Sequence, residues 1–265
     1  MKAILARRQF LSLTASAVAG ALLEGRAASA VTTDLRVQAI AFDAFPVFDP
    51  RPVFAQAEQL FPGRGGELSN EWRTRQFEYT WLRVAAGHYA DFWHVTQDAL
   101  EFASNKLSLE LSPEKRKKLM SAYLELKPWP DVPAALASLK QSGFRLAFLS
   151  NFTRAMLDAN IESAGLAGRF EQIISTDQAK TYKPDPRAYR LGIDHLHLAK
   201  QEVVFAAFGG WDAAGAKSFG YPTFWVNRFN QAVEELGVRP DGMSTNLDGL
   251  LQFVQARTPG TKSPH

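Results

Sequence analysis

Four apolar segments of this 265-residue chain end on side chains that could take part in catalysis. Asp43 follows the apolar run 37–42, and later segments lead into Ser150-Asn151, Lys183 and Asp212. In an open α/β sheet the carboxyl ends of the strands lie at one edge, where ligands bind. A carboxylate nucleophile there needs a cation that keeps it ionised, and Lys183 could supply it. Asp43 alone could simply cap a turn, but the combination predicts an enzyme.

Alternating apolar runs and helical patterns indicate how these side chains would be brought together. Strands are predicted at 37–42, 145–149, 172–174, 203–207 and 223–226, with helical patterns between them. One of these helices is expected to be capped by Asp131 and to run through Lys140. Strand–helix alternation implies right-handed crossovers and a mostly parallel sheet covered on both faces. The predicted fold class is therefore α/β with a parallel sheet.

After the first predicted strand the chain changes character. Residues 50–128 show no convincing strand but four helical stretches, at 52–61, 69–86, 91–106 and 113–127. An insertion at this point would lie over the carboxyl end of the strand, above Asp43. We therefore predict a helical cap at 50–128, a core formed by 31–49 and 129–258, and a disordered tail at 259–265.

Residues 1–30 have the layout of an export signal. They combine the twin arginines Arg7 and Arg8, an apolar run to Leu23 and a small-residue cleavage site ending at Ala30. The alternative is a genuine N-terminal helix or anchor, although the apolar run is short for a bilayer span. We expect bacterial twin-arginine export, cleavage after Ala30, and a periplasmic or secreted protein. The sequence contains no cysteine, so no disulfide bond stabilises it.

The basic excess of the chain lies in the same N-terminal segment. The formal net charge is +3, and residues 1–30 contain four basic residues against Glu24 alone. The rest of the chain therefore has equal numbers of basic and acidic residues, which argues against nucleic acid as a partner. The basic run 115–118 is interpreted as a solvated helix face.

Several segments together resemble the type II haloacid dehalogenases, hydrolases of the haloacid dehalogenase superfamily that act on (S)-2-haloacids. They cover nearly all of the chain after residue 30 and comprise Phe42-Asp43-Ala44-Phe45, 61–65, 72–83, Leu149-Ser150-Asn151, 182–185 with Tyr189, 210–216 and 225–228. The Trp72-Arg73 motif in the predicted cap is typical of this subfamily. The resemblance implies a Rossmann-like α/β core with an inserted helical cap.

The resemblance also implies a two-step reaction. Asp43 would displace halide from the α-carbon of a haloacid substrate, and water would then hydrolyse the aspartyl ester. The implied roles are halide binding by Arg73 and Asn151, carboxylate binding by Ser150, orientation of Asp43 by Lys183 and Tyr189, and positioning of Lys183 and water by Asp212. An apolar pocket that excludes water would be walled by Phe45, Phe77, Phe92 and Trp211. A homodimer through the cap would also fit the family.

Superfamily phosphatases are the rival class of enzyme. Their pattern has a second aspartate two residues after the nucleophile, where this chain has Phe45. They hold magnesium with further carboxylates near the fourth strand, where this chain offers only Asp212. Two carboxylates without a general acid make a poor magnesium phosphoryl-transfer site. The five histidines are scattered, and we predict neither a metal nor a cofactor.

The chain departs from the dehalogenase pattern near Asp43. Val47, Ala207 and Gly209 stand where that family carries polar side chains. A lost hydrogen bond to a charged group is typically worth about 1.5–3 kcal/mol. Our hypothesis is that halide displacement is less impaired than ester hydrolysis. The absence of a side chain at Gly209 also makes space, so a different substrate is a further alternative. The alternative function is a catalytically degenerate exported protein that binds a small organic acid.

Overall fold

A computed structural model describes residues 36–257, so the predicted signal at 1–30 and tail at 259–265 lie outside the described part. Its strands are β1 (Ala39–Phe42), β2 (Phe48–Asp49), β3 (Lys127–Pro128), β4 (Arg145–Ser150), β5 (Gln172–Ser175), β6 (Val203–Ala207), β7 (Thr223–Val226) and β8 (Gly242–Ser244). Its α-helices are α1 (Arg51–Leu60), α2 (Gly65–Ala85), α3 (Phe92–Lys106), α4 (Pro113–Ala122), α5 (Val132–Gln141), α6 (Arg154–Ser163), α7 (Pro186–Leu196), α8 (Gly210–Phe219) and α9 (Leu247–Ala256). None of these helices is both long and apolar enough to cross a membrane.

A six-stranded parallel sheet in the order β5-β4-β1-β6-β7-β8 forms the centre of the fold. Its inner strands are continuous apolar runs, as expected for a parallel sheet buried on both faces. Ile40 and Phe42 pack into one apolar core, which includes Leu136 of α5. The alternate residue Ala41 belongs to a second core, which includes Tyr189 of α7. The predicted α/β fold with a parallel sheet is confirmed.

The order of the strands places β1 at a switch point. From β1 the chain adds β4 and β5 on one side, then returns to add β6, β7 and β8 on the other. Such a reversal opens a crevice at the carboxyl ends of the strands. Asp43 directly follows β1, and its backbone N–H donates to the carbonyl of Ala206 in β6 at 3.0 Å. Asp43 therefore stands at the crevice.

Helices α1 to α4 are inserted between two short paired strands. β2 and β3 are antiparallel, with Phe48 opposite Pro128. Within the insertion, Trp72 Nε1 donates to the Thr96 carbonyl and Gln76 Nε2 donates to Thr96 Oγ1, each at 2.7 Å. These buried bonds join α2 to α3. The four predicted helices are present, while the division into cap and core domains stays a prediction.

Two helix ends in the insertion differ from the predicted ends. α2 begins at Gly65 rather than at 69, because a glycine allows close approach to α1; a Cβ there would overlap the backbone of Glu58. α4 ends at Ala122 rather than at 127. Beyond it, the Asn160 side chain binds the backbone carbonyl of Tyr123 and the backbone N–H of Leu126, each at 2.8 Å. Tertiary contacts therefore set both ends.

The prediction that the Asp131 side chain caps a helix is wrong. Asp131 precedes α5, but its side chain makes no capping hydrogen bond. Its carboxylate instead accepts hydrogen bonds from Arg228 Nη1 at 2.7 Å and from the Leu247 N–H at 2.8 Å. Arg228 Nη2 also donates to the carbonyl of Pro46 at 2.7 Å. The Asp131–Arg228 pair thus ties α5 to the segment that follows Asp43.

Candidate active site

Lys183 and two carboxylates form a buried charged cluster at the crevice. Lys183 Nζ donates to Asp43 Oδ1 at 2.8 Å and to Asp212 Oδ2 at 2.7 Å. The Lys183 residue is only 1% exposed and its ammonium lies 4.9 Å from the centre of the Phe205 ring. A buried cation between two carboxylates holds both in fixed positions.

The two oxygens of Asp43 have different surroundings. Oδ1 accepts from Lys183 and also from Ser150 Oγ, the latter at 3.2 Å. Oδ2 accepts only a longer hydrogen bond, 3.3 Å, from the N–H of Phe45 within residues 36–257. Oδ2 is therefore the less engaged oxygen and the better placed to form a new bond.

Burial and charge together set the protonation of this cluster. Burial lowers the pKa of Lys183, but Asp212 and Asp43 raise it more, and the net pKa lies above the usual value. Burial raises the pKa of Asp212 to about 6 despite the opposing effect of Lys183. At neutral pH Lys183 is thus a cation and Asp212 is mostly ionised.

Tyr189 contacts Asp212 rather than Asp43. Its hydroxyl donates to Asp212 Oδ1 at 2.7 Å. Burial, with the Asp212 charge in second place, raises the pKa of Tyr189 well above its usual value, so the hydroxyl keeps its proton. Among the described residues no hydrogen bond joins Tyr189 to Asp43, so Tyr189 orients Asp43 indirectly, through Asp212 and Lys183.

Asn151 and Arg73 offer donors to a bound anion. Asn151 Oδ1 accepts from the Lys183 N–H at 3.0 Å and from Thr176 Oγ1 at 3.2 Å, which fixes the orientation of the amide. No described residue accepts a hydrogen bond from Asn151 Nδ2, and none forms a hydrogen bond or ion pair with the Arg73 guanidinium. Both side chains line the same cavity as Asp43. Their donors are therefore available to a ligand.

The cavity above Asp43 has a volume of about 330 Å³. Of the predicted site residues it is lined by Asp43, Phe45, Arg73, Phe77, Phe92, Ser150, Asn151, Trp211 and Asp212. Lys183 and Tyr189 lie outside the lining and support it from behind. The structure thus brings together every predicted site residue, eleven side chains from widely separated parts of the sequence.

Sequence reasoning missed about half of the lining. The further residues are Thr74, Glu78, Trp81, Phe152, Phe208, Gly210, Gln231 and Glu234, while Gly209 had been singled out from the sequence. Thr74, Glu78 and Trp81 follow Arg73 and Phe77 on α2 at helical spacing, which is a signal that could have found them. Gln231 and Glu234 lie in the irregular segment between β7 and β8, where no periodic pattern exists.

The three departures from the family pattern occupy different surroundings. Val47 and Ala207 are fully buried, and neither lines the cavity. Gly209 does line it, and a Cβ at this position would lie 2.8 Å from the indole Nε1 of Trp211. The missing side chain at 209 is therefore what allows the observed position of Trp211.

Carboxylates and histidines do not form a metal site in the described part of the chain. Within residues 36–257, no group of three or more His, Cys, Asp or Glu side chains is arranged to hold a metal ion. The two carboxylates at the crevice are bridged by the ammonium of Lys183.

Known proteins are similar to this chain in both sequence and fold. A family model for haloacid dehalogenase-like hydrolases matches residues 20–220. The (S)-2-haloacid dehalogenase of Pseudomonas sp. (strain YL) is 40% identical over 220 residues, which are 83% of this chain and 95% of that protein. The crystal structure of an L-2-haloacid dehalogenase, also 40% identical, covers 83% of this chain and 99% of its own, with a TM-score of 0.82.

A second solved structure is that of the L-2-haloacid dehalogenase of Xanthobacter autotrophicus with chloropropionic acid covalently bound. It is 33% identical, has a TM-score of 0.77, and covers 83% of this chain and 98% of its own. The family expected from the sequence motifs is thus confirmed by relatives that match over almost their whole length. The chain belongs to the haloacid dehalogenase-like hydrolases and, within them, to the (S)-2-haloacid dehalogenase family.

Proposed function

We propose that this protein hydrolyses short-chain (S)-2-haloacids to 2-hydroxyacids through an ester on Asp43. The observation that carries the proposal is the position of Asp43, 2.8 Å from the Lys183 ammonium and inside a cavity that also contains Arg73. A family relative with chloropropionic acid covalently bound supports a covalent step.

In the first step, an electron pair of Asp43 Oδ2 forms a bond to the α-carbon of the substrate. The carbon–halogen bond breaks, and the halide leaves with its electron pair. Arg73 and Asn151 Nδ2, which have no hydrogen-bond or ion-pair partner among residues 36–257, can stabilise the departing anion. Donors held in place before the reaction stabilise the developing charge without reorganising.

In the second step, water attacks the Asp43 carbonyl carbon and the ester bond at that carbon breaks. The 2-hydroxyacid leaves with an oxygen that belonged to Asp43, and the new carboxylate oxygen comes from water. Asp212 lines the cavity and is mostly ionised above about pH 6, so it can accept one proton from water and return it to the departing alkoxide oxygen. The second proton of water is released when the new Asp43 carboxyl group ionises. A single turnover in oxygen-18 water should therefore label Asp43 and leave the product hydroxyl unlabelled.

A test on the purified full-length chain separates an active enzyme from two alternatives: a protein that stalls as the ester on Asp43, and a protein that only binds an organic acid. Chloride release from (S)-2-chloropropionate is measured together with the intact mass of the protein, with Asp43→Asn as the control. Sustained release that requires Asp43 supports the proposal, and an accumulating adduct would identify ester hydrolysis as the slow step. If the assay shows no chloride release and no adduct, the result would favour the alternative of a degenerate protein that only binds an organic acid.

We also propose that residues 1–30 direct the protein through the bacterial twin-arginine export machinery to the periplasm or the exterior. Arg7-Arg8 and the small residues up to Ala30 support this proposal. In a bacterial host, replacing both Arg7 and Arg8 with lysine should keep the protein in the cytoplasm. Arg26→Lys, which alters a basic residue outside the motif, should not affect export.

A homodimer through the helices of the predicted cap is a separate proposal. It is supported by the family resemblance alone. Light scattering coupled to gel filtration gives the molar mass in solution, and a monomer mass across a range of protein concentrations would contradict it.

A further inference from the structure

The cavity is larger than a short-chain haloacid requires. At about 30 Å³ per molecule of liquid water, a volume of about 330 Å³ corresponds to about eleven waters. A three-carbon haloacid fills a minor part of that space. The remaining space is partly open to solvent, and the chemistry of the side chains that line it indicates what else could enter.

Aromatic rings bound the cavity from the nucleophile outward. Near Asp43, the Phe45 ring packs against Phe152 and Phe208 with centroids 5.2 and 5.4 Å apart. Farther out, the Trp211 indole meets Phe77 at 5.4 Å and Trp81 at 5.3 Å, both edge to face. Asp43 is 8% exposed and Trp81 is 38% exposed, so the rings lead from a buried centre to the surface.

Two consecutive residues, Phe208 and Gly209, contribute to this apolar wall. The Phe208 ring lines the cavity and also packs against Phe229 with centroids 5.7 Å apart. Gly209 leaves open the space that the Trp211 indole borders. Both residues therefore leave this side of the cavity bordered by aromatic rings.

We propose that the cavity accepts (S)-2-haloacids with an aryl group on carbon 3, in addition to short-chain ones. This inference rests on the proposed function, and the reaction at carbon 2 is unchanged. The aryl ring would lie among Phe77, Trp81 and Trp211. Glu78 and Glu234 also line the cavity, so a second carboxylate on the substrate would be repelled.

The test compares kcat/KM for bromide release by the full-length chain from three acids of one configuration. These are (S)-2-bromopropionate, (S)-2-bromo-3-phenylpropionate and (S)-2-bromosuccinate. We expect kcat/KM for the phenyl compound to equal or exceed that for the propionate, since an aromatic pair adds about a 2- to 10-fold preference. We expect kcat/KM for the succinate to be at least about tenfold lower than that for the propionate.

The outcomes distinguish this inference from the function on which it rests. Turnover of the propionate with a lower kcat/KM for the phenyl compound would overturn the inference and leave the proposed function standing. No bromide from any of the three acids would overturn both.

A variant locates the aryl group. Trp81→Leu should lower the ratio of kcat/KM for the phenyl compound to that for the propionate by about 2- to 10-fold. The ratio is the readout because Trp81 Nε1 also donates to the Lys183 carbonyl at 3.3 Å, which affects both substrates. Leu82→Ala, at the exposed neighbouring position of α2, is the matched control and should leave the ratio unchanged. An unchanged ratio in Trp81→Leu would contradict the proposed location.

Discussion

Tyr189 donates its hydroxyl hydrogen to Oδ1 of Asp212, the carboxylate oxygen that Lys183 does not bind. Asp212 is therefore held at both oxygens while it borders the cavity that contains Asp43. Because a hydrogen bond to an ionised carboxylate favours the ionised form, Tyr189 opposes the effect of burial on Asp212. Tyr189 thus helps to keep a buried carboxylate charged near neutral pH.

Removing this hydrogen bond should shift the pH dependence of catalysis. If Asp212 accepts the proton from water, kcat should fall below about pH 6, the pKa of that carboxyl. In Tyr189→Phe that pKa rises, so the acid limb of the kcat profile should move to higher pH. Tyr221→Phe is the control, because its hydroxyl donates to the Tyr189 carbonyl and not to Asp212. An acid limb that stays in place in Tyr189→Phe would argue against Asp212 as the base.

The raised pKa of Asp212 also predicts how stability depends on pH. The pKa is about 6 in the folded protein against a usual 3.8, so between these values the folded state binds the proton more tightly. The contribution of Asp212 to the free energy of unfolding is thus largest below pH 3.8 and falls as the pH rises to about 6. Above that pH it is constant.

Asp212→Asn isolates this contribution. The free energy of unfolding of wild type minus that of the variant should decrease by up to about 3 kcal/mol between pH 4 and pH 7. Urea unfolding at several pH values measures the difference and cancels the effects of other carboxyl groups. A difference that rises with pH would contradict the assignment.

Gly209 should not accept a side chain without a cost. A Cβ at 209 would lie 2.8 Å from Trp211 Nε1, so the indole must move in Gly209→Ala. Overpacking of this kind typically costs about 1–3 kcal/mol, and we expect lower stability, altered tryptophan fluorescence and weaker activity. A larger polar side chain, as in Gly209→Asn, should likewise disturb Trp211. Gly66→Ala, with no atom near the added Cβ, is the control and should leave the fluorescence unchanged.

The Arg228–Asp131 pair should contribute strongly to stability. The Arg228 side chain is 4% exposed, and its guanidinium lies 4.9 Å from the centre of the Trp129 ring. Arg228→Met leaves Asp131 without its cation and the Pro46 carbonyl without a donor, so the free energy of unfolding should fall by about 3–5 kcal/mol. Arg239→Met is the control, since Arg239 is 71% exposed and 3.9 Å from Glu235. It should change stability by less than about 1 kcal/mol. Equal effects in the two variants would show that the buried pair has no special importance.

The sequence predicted the main strands because they are long apolar runs with clear ends. β6 lies at Val203–Ala207 as predicted, and β4 ends at Ser150, one residue beyond the predicted end. The carboxyl ends of parallel strands share one edge of the sheet, so the side chains that follow them had to come close together. This geometry explains why Asp43 and Asp212 were both found from sequence.

Other parts of the structure carry no such signal. β8 has three residues, begins with Gly242 and exposes Met243, so it lacks an apolar pattern. The contact of Glu234 with the cavity depends on how an irregular segment folds back toward Gly210. The pairing of Asp131 with Arg228 joins positions far apart in sequence, and the motif before α5 fits a helix cap equally well. Such contacts are determined by tertiary packing and not by local pattern.

The antiparallel pair β2–β3 has a consequence for how this protein could diversify. Because Asp49 and Lys127 lie side by side, the chain between them begins and ends at one point of the molecule. That stretch carries Arg73, Phe77 and Trp81, while Asp43, Lys183 and Asp212 lie outside it. A recombination event that exchanged the stretch would replace much of the substrate-contacting wall in one step and retain the bond-making groups. New substrate ranges could therefore arise by transplanting one contiguous piece of the gene.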